Sequence, residues 1–442
     1  MGSVAGNVPP SGEEAAAVPL PFTRRYRAYV LAVLTVAQGC HALDRSLIGV
    51  VLEPVKNEFG LSDSEAGLLA GLSYGVAFAL AAIPFGMAVD RFNRRNLLAL
   101  VLSLWSGFTV ICGLVNSYVA LLFARSAVGA AEAGGSPAGM SLLTDYFRPG
   151  ERASAVGIWY MSAGVGTLFA FMGGGFIAQH YGWRMVFIAG GVPGLFLAIL
   201  LLLTVKEPAR GALDHALAKP APGTKVDDKL GFRARLRLIS AAPGLVHCML
   251  ALILVAVASS GVTAWLTALL IRVHGMELAY AGVVVALCIG LASSFGGGGT
   301  GLLVDRINKR RGFSAQRSAW FAAAMPLLSV VFAAIAFLTT SATMAILFLI
   351  LFGVVISAYN GPGNGLVVTI SDRRVRGLSV SLVQFGANLV GFGLGPVIVG
   401  QVSEAFGGGA ALRWGMVAVL GFYVWGAFHF LMAGRALARR GA

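Results

Sequence analysis

The 442-residue chain is 57% hydrophobic and only 12% charged, with a mean hydropathy of +0.81. Soluble domains carry about 25% charged residues, so these proportions exclude a soluble globular protein and specify a polytopic helical membrane protein. A net charge of +14 invites a nucleic-acid reading, which the placement of the charges excludes.

Residues 1–22, rich in Gly, Ala, Pro and Glu without an apolar core, read as a disordered cytoplasmic leader before the cluster Arg24, Arg25, Arg27. Apolar runs of membrane-crossing length then fall near 26–52, 63–89, 96–115, 117–144, 153–179 and 183–204. A second set falls near 243–271, 279–304, 317–340, 342–370, 377–403 and 411–434. The expectation is an all-α protein of twelve transmembrane helices in two six-helix halves, 23–205 and 243–435. A cytoplasmic linker, 206–242, joins them, and a cytoplasmic tail, 436–442, closes the chain.

With both termini cytoplasmic, 27 of the 33 Lys and Arg residues lie in cytoplasmic segments. Lys56, Arg184, Arg272 and Arg413 are then external, and Arg45 and Arg125 are intramembrane. That bias sets the orientation in the cell (inner) membrane and makes the basicity topological. Within the linker, Arg233, Arg235 and Arg237 alternate with Phe232, Leu236, Leu238 and Ile239, a pattern that suits a short helix on an anionic leaflet.

The halves repeat. Gly86, Asp90, Arg91, Arg94 and Arg95 close the second span; Gly301, Asp305, Arg306, Lys309 and Arg310 close the eighth in the same register, 215 residues on. Matching motifs in two halves are the mark of a transporter built from repeats, with its site between them. The glycine lets a neighbouring helix approach. Asp90, at the membrane edge, can accept hydrogen bonds from arginines or a helix N-terminus, a cytoplasmic latch that would hold one orientation of the halves and break in the other.

Ionised groups are expensive inside the bilayer and mark function. They occur near the middle of two spans: Asp44 and Arg45 in the first, Arg125 and Glu132 in the fourth. Arg125, Gly129 and Glu132 share one helix face, as do Gln38, His41 and Arg45 with Asp44 beside them. Pairing across the two spans, of Asp44 or Glu132 with Arg45 or Arg125, would satisfy all four. Arg keeps its proton, so Asp44 and Glu132 are the expected proton carriers. Moving an Arg relative to a carboxylate would switch proton affinity. His41 is a secondary candidate on that path.

In the second half, interior polarity must come from neutral groups: Tyr359, Asn360, Asn364, Gln384 and Asn388 are candidate cavity residues. Trp265 either lines that cavity or packs, and Arg272 at the external interface either snorkels or meets an anionic head group. Charge on one wall and apolar surface on the other suit an amphipathic substrate. Gly296–Gly299 lies in an apolar span with no Lys-Ser/Thr after it and is no nucleotide loop. The single cysteines Cys40, Cys112, Cys248 and Cys288 form no disulfide, zinc or redox motif. Six scattered histidines have no metal spacing. The chain therefore reads as a non-enzyme with no metal, no cofactor and no nucleic-acid partner, a monomer whose partners are its substrate, protons and membrane lipids.

From Arg24 to Arg440 the sequence resembles the major facilitator superfamily, and within it bacterial Spinster-type transporters. The matching stretches are Asp44-Arg45, Arg125 to Ala133, Gly182-Trp183-Arg184 with Gly191 to Gly194, Trp265 with Arg272 to Gly275, and Asn388 to Pro396. It departs at His41 and Ala42, where relatives usually have Asn and Tyr. The resemblance implies a proton-linked carrier of lysophospholipids or sphingoid lipids such as sphingosine 1-phosphate, working by alternating access. The alternatives are a proton-coupled transporter of small organic anions or drugs, and a passive lipid facilitator.

Overall fold

The computed structural model describes residues 22–211, 231–295, 314–372 and 374–441, with isolated positions between 304 and 312. Among the described residues the regular elements are all helical, and ten helical stretches are long and apolar enough to cross a membrane. The other two expected spans are the ones with buried charge. The first is a 36-residue helix, Arg24–Phe59; the fourth is broken into Tyr118–Glu132 and Gly135–Tyr146. Polar and charged side chains dilute both: Gln38, His41, Asp44 and Arg45 in the first, Arg125 and Glu132 in the fourth.

Apolarity alone sets the end of the first span at residue 52, yet the helix runs on past Pro54 to Phe59. It stops at Gly60, whose φ of 63° is the left-handed cap that glycine supplies without strain. Those extra turns carry Glu53, Lys56 and Glu58 beyond the apolar run. The second span is bent at Gly71, between Asp63–Ala70 and Leu72–Arg91. The tenth span is broken like the fourth, into Ala342–Ile356 and Asn360–Ile370, so the halves repeat in helix geometry as well as in sequence. Widened π turns interrupt the eighth span at Ala286–Ala292 and the eleventh at Ala387–Phe392. Phe232–Ala241 forms the short helix expected in the linker, and the last helix runs from Leu412 to Gly441, through the expected tail. Residues 1–21 of the leader, the middle of the linker and Gly296–Gly299 lie outside the described residues.

In the first half, span one packs most extensively on span five and span three on span six; in the second, span twelve packs on spans seven and nine. The halves meet through span one on seven, two on eleven and five on eight. Glycines allow the approach: a methyl at Gly282 would come 2.4 Å from the Phe171 carbonyl oxygen, and one at Gly67 2.6 Å from that of Pro396. These contacts lie toward the side opposite the basic loops. Around Gly86, near the basic side, nothing lies within 4 Å of such a methyl.

Candidate functional site

Asp44 and Arg125 meet in the first half. Arg125 Nη1 donates to Asp44 Oδ1 at 3.5 Å, and the Thr109 hydroxyl donates to Oδ2. Two turns along from Arg125, Glu132, the last residue before the break in span four, accepts from the Tyr74 hydroxyl through Oε2. His41 Nε2 lies 3.4 Å from the same oxygen. Among the described residues, the buried Glu132 Oε1 and Arg125 Nε have no hydrogen-bond partner. Asp44 is 2% exposed, and Arg125 and Glu132 are 1% exposed each. Removing such groups from water costs several kcal/mol apiece, roughly, even when paired, which makes an incompletely satisfied cluster a poor device for stability.

The expected pairing thus forms for Arg125 and Asp44. It does not form for Arg45, which turns to the other half. Arg45 Nη2 donates to Asn388 Oδ1 at 2.6 Å, and its guanidinium lies 3.5 Å from the centre of the Phe392 ring, with Tyr74 and Phe78 at 5.3 and 5.9 Å. Successive residues are about 100° apart around a helix, so Asp44 and its neighbour face different elements. Asn388 and Phe392 both lie in the π turn of span eleven.

Tyr74, Thr109 and Phe392 escaped the sequence reading, because single hydroxyls and rings in apolar spans carry no signal. The spacing Gly71–Tyr74–Gly75 was the available clue. A methyl at Gly75 would come 2.9 Å from the Asn388 carbonyl oxygen, so Tyr74 stands where span two is pressed on span eleven.

A second network went unread on the side opposite the basic loops. Arg272 of span seven donates to Glu53 at 2.8 Å and to Asp63 at 3.0 Å. Lys56 lies 3.3 Å from Asp63, and the Ser403 hydroxyl donates to Asp63 at 2.6 Å. Arg272 and Ser403 belong to the second half, the other residues to the first. Arg272 is therefore not a snorkelling side chain but a clasp between halves. Nearby, Glu58 accepts from Trp183 Nε1 at 2.6 Å and from Arg184 at 2.8 Å, which holds its carboxyl below the usual range.

At the basic end of span two the organising residue is Arg94. It is 2% exposed and donates to Asp145, to Glu207 at 2.8 Å and to the Pro208 carbonyl at 2.9 Å. Arg95 N–H donates to Glu207 at 2.8 Å. Arg210 donates to the carbonyls of Val89, Asp90 and Phe92. The linker's first residues are thereby strapped to the first half. Asp90 and Arg91 are exposed, and the Asp90 carboxylate makes no hydrogen bond to a described residue. Gly301 and Asp305 lie outside the described residues; Arg306 is exposed.

Of the second-half candidates, Trp265 is fully buried, and its indole N–H donates to the Pro396 carbonyl at 2.9 Å. It packs span seven on span eleven. Tyr359 and Asn360 line a cavity of about 170 Å³ together with Ser259, Phe352 and Tyr423. Asn364 and Gln384 are exposed; the Asn364 amide donates to the Asn360 carbonyl, and the Asn388 amide to the Gln384 carbonyl. Among the described residues no group of three or more His, Cys, Asp or Glu is placed to hold a metal.

The family model of the Major Facilitator Superfamily matches residues 34–396. The chain belongs to that superfamily. A bacterial homologue of the human lysosomal transporter Spinster, solved in an inward-facing and unoccupied conformation, superposes with a TM-score of 0.84 at 30% identity over 95% of this chain and 99% of that one. An MFS-type efflux pump of Mycolicibacterium smegmatis is 26% identical over 85% of this chain and 84% of its own length. The sphingosine-1-phosphate transporter SPNS2 of Danio rerio is 25% identical over 55% of this chain and 48% of its own length. The chain is a multi-pass, Spinster-type transporter of this superfamily, not an enzyme.

Proposed function

We propose that the chain is a secondary active, proton-coupled carrier of an amphipathic lipid, a lysophospholipid or a sphingoid lipid such as sphingosine 1-phosphate, moved by alternating access. The observation that carries the coupling is Glu132: one buried oxygen is held by Tyr74, the other has no partner among the described residues, and His41, Asp44 and Arg125 surround it. Its protonation changes the charge of a water-poor cluster one residue from the contact between halves. The lipid reading draws on the relative named for sphingosine 1-phosphate. It also draws on the second half, whose cavity combines Phe352, Val262 and Ile289 with the hydroxyls of Tyr359, Tyr423 and Ser259.

In this reading the basic side faces the cytoplasm of a cell inner membrane, with both termini there, and the monomer suffices. Arg45, Asn388 and Phe392 join the halves near the centre; Asp90 and its counterpart Asp305, with their arginines, form a latch that engages when the halves close on the basic side. The relative named as an efflux pump favours a second reading, a proton-coupled exporter of small molecules with the same machinery.

Uptake of labelled lysophospholipid into proteoliposomes, with and without a pH gradient, tests the proposal. Gradient-driven uptake that is lost in Glu132→Gln supports a coupled lipid carrier. Lipid movement indifferent to gradient and substitution identifies a passive facilitator, and no lipid movement moves the substrate to small molecules.

A further inference from the structure

His41 is a titratable group that the cluster holds without a hydrogen bond. It is 7% exposed, and its Nε2 has no hydrogen-bond partner among the described residues although it sits 3.4 Å from Glu132. The same ring lines a narrow cleft with Leu34, Gln38, Leu98, Gly139 and Trp159. Span one runs away from the basic side and span four runs back toward it. Leu34 and Gln38 therefore lie on the basic side of His41, and Gly139 lies on the basic side of Glu132. Leu98 and Trp159 belong to the basic-side portions of spans three and five. The cleft, of about 10 Å³ and so with room for about one water, thus lies on the basic side of the imidazole, and the imidazole stands between it and the carboxyl.

The groups facing His41 leave it this role. Span four presents Glu132, with Arg125 two turns further; its own helix carries Asp44 and Arg45 one turn on. Span three presents Trp105, edge-on with ring centroids 5.9 Å apart, and span five the uncharged Trp159. Among the described residues Glu132 is the one carboxylate within direct reach.

We propose that His41 is the proton relay between Glu132 and the basic side of the membrane, an inference that rests on the proton-coupled reading above. The ring accepts the Glu132 proton on Nε2, turns about its Cβ–Cγ bond and releases that same proton from Nε2 to water in the cleft. One proton crosses, Nδ1 keeps its own throughout, and the ring turns back in the tautomer in which it began. Gln38, one turn toward the basic side, is placed to orient that water.

The test is gradient-driven lysophospholipid uptake in proteoliposomes by wild type, Glu132→Gln, His41→Ala and His41→Gln, each with and without millimolar imidazole. Uptake should fall about 100-fold in both His41 variants, the scale of a lost proton-transfer group. Imidazole, entering the space left by the ring, should restore His41→Ala but neither His41→Gln nor Glu132→Gln. Wild-type rates in His41→Gln would overturn the relay while leaving coupling intact. So would a folded His41→Ala, monodisperse on gel filtration, that imidazole does not restore. Wild type that ignores the gradient would overturn the coupled reading and the relay together.

Discussion

Arg45 and Asn388 stand on opposite halves of the protein and are joined by a 2.6 Å hydrogen bond from Nη2 to Oδ1. The guanidinium is held over the Phe392 ring at the same time. A residue one position along from a buried carboxylate is thereby committed to the contact between halves, so the charge of the cluster and the joint between the halves share one helix turn.

Replacing Asn388 by Ala should loosen that joint. A hydrogen bond to a charged group contributes about 1.5–3 kcal/mol, so the balance between this arrangement and the one in which the halves part here should shift by roughly 10- to 100-fold. Spin-label distances between spans one and eleven would report it as a new, longer population. An unchanged distance distribution would mean that Phe392 stacking alone sets the joint.

The two carboxylates of the cluster should differ in what their neutral forms do to stability. In Asp44→Asn, Arg125 keeps its charge but loses the carboxylate it is paired with, and breaking a buried pair costs about 3–5 kcal/mol. In Glu132→Gln the amide oxygen can still accept from Tyr74, and no cation is stranded, since Arg125 pairs with Asp44. Thermal unfolding in detergent should therefore show a large drop in midpoint for Asp44→Asn and a small one for Glu132→Gln. Equal drops would place Arg125 between both acids instead.

The topology and the cluster were legible for one physical reason: charge in an apolar run is costly, so Asp44, Arg125 and Glu132 stand out and must find one another. The same logic misassigned Arg45, because a guanidinium can be satisfied by an amide and aromatic rings as well as by a carboxylate. It also misread Arg272, whose partners Glu53 and Asp63 lie beyond the apolar run and look like loop residues until the helix is seen to continue to Phe59. Arg94 was obscured by Arg91 and Arg95, since a run of arginines looks alike whether one anchors in the head groups or is buried against Asp145. Trp265 was ambiguous in sequence, and only the carbonyl of Pro396 decides for packing.

Arg272→Gln should release the clasp on the side opposite the basic loops. The second half supplies one cation to that network, bound to two carboxylates of the first, and glutamine can replace hydrogen bonds but not the charge. The expected result is faster labelling of a cysteine placed at Ser64, whose N–H donates to Glu404 of span eleven. Unaltered labelling would show that the glycine contacts at Gly67 and Gly75 hold this side closed unaided.

Arg94 gives the clearest test of geometry against charge. One guanidinium reaches Asp145, Glu207, the Ser141 side chain and the Pro208 carbonyl, a divergent set that a single ammonium cannot span. Arg94→Lys should thus lose most of what Arg94→Ala loses, about 3–5 kcal/mol for breaking a buried pair. The exposed Arg91→Ala should change stability by about 0.5 kcal/mol or less. Unfolding midpoints of the three variants, measured side by side in one detergent, separate the cases: a Lys variant as stable as wild type would mean that charge alone is needed at position 94, and that the basic run is an anchor throughout.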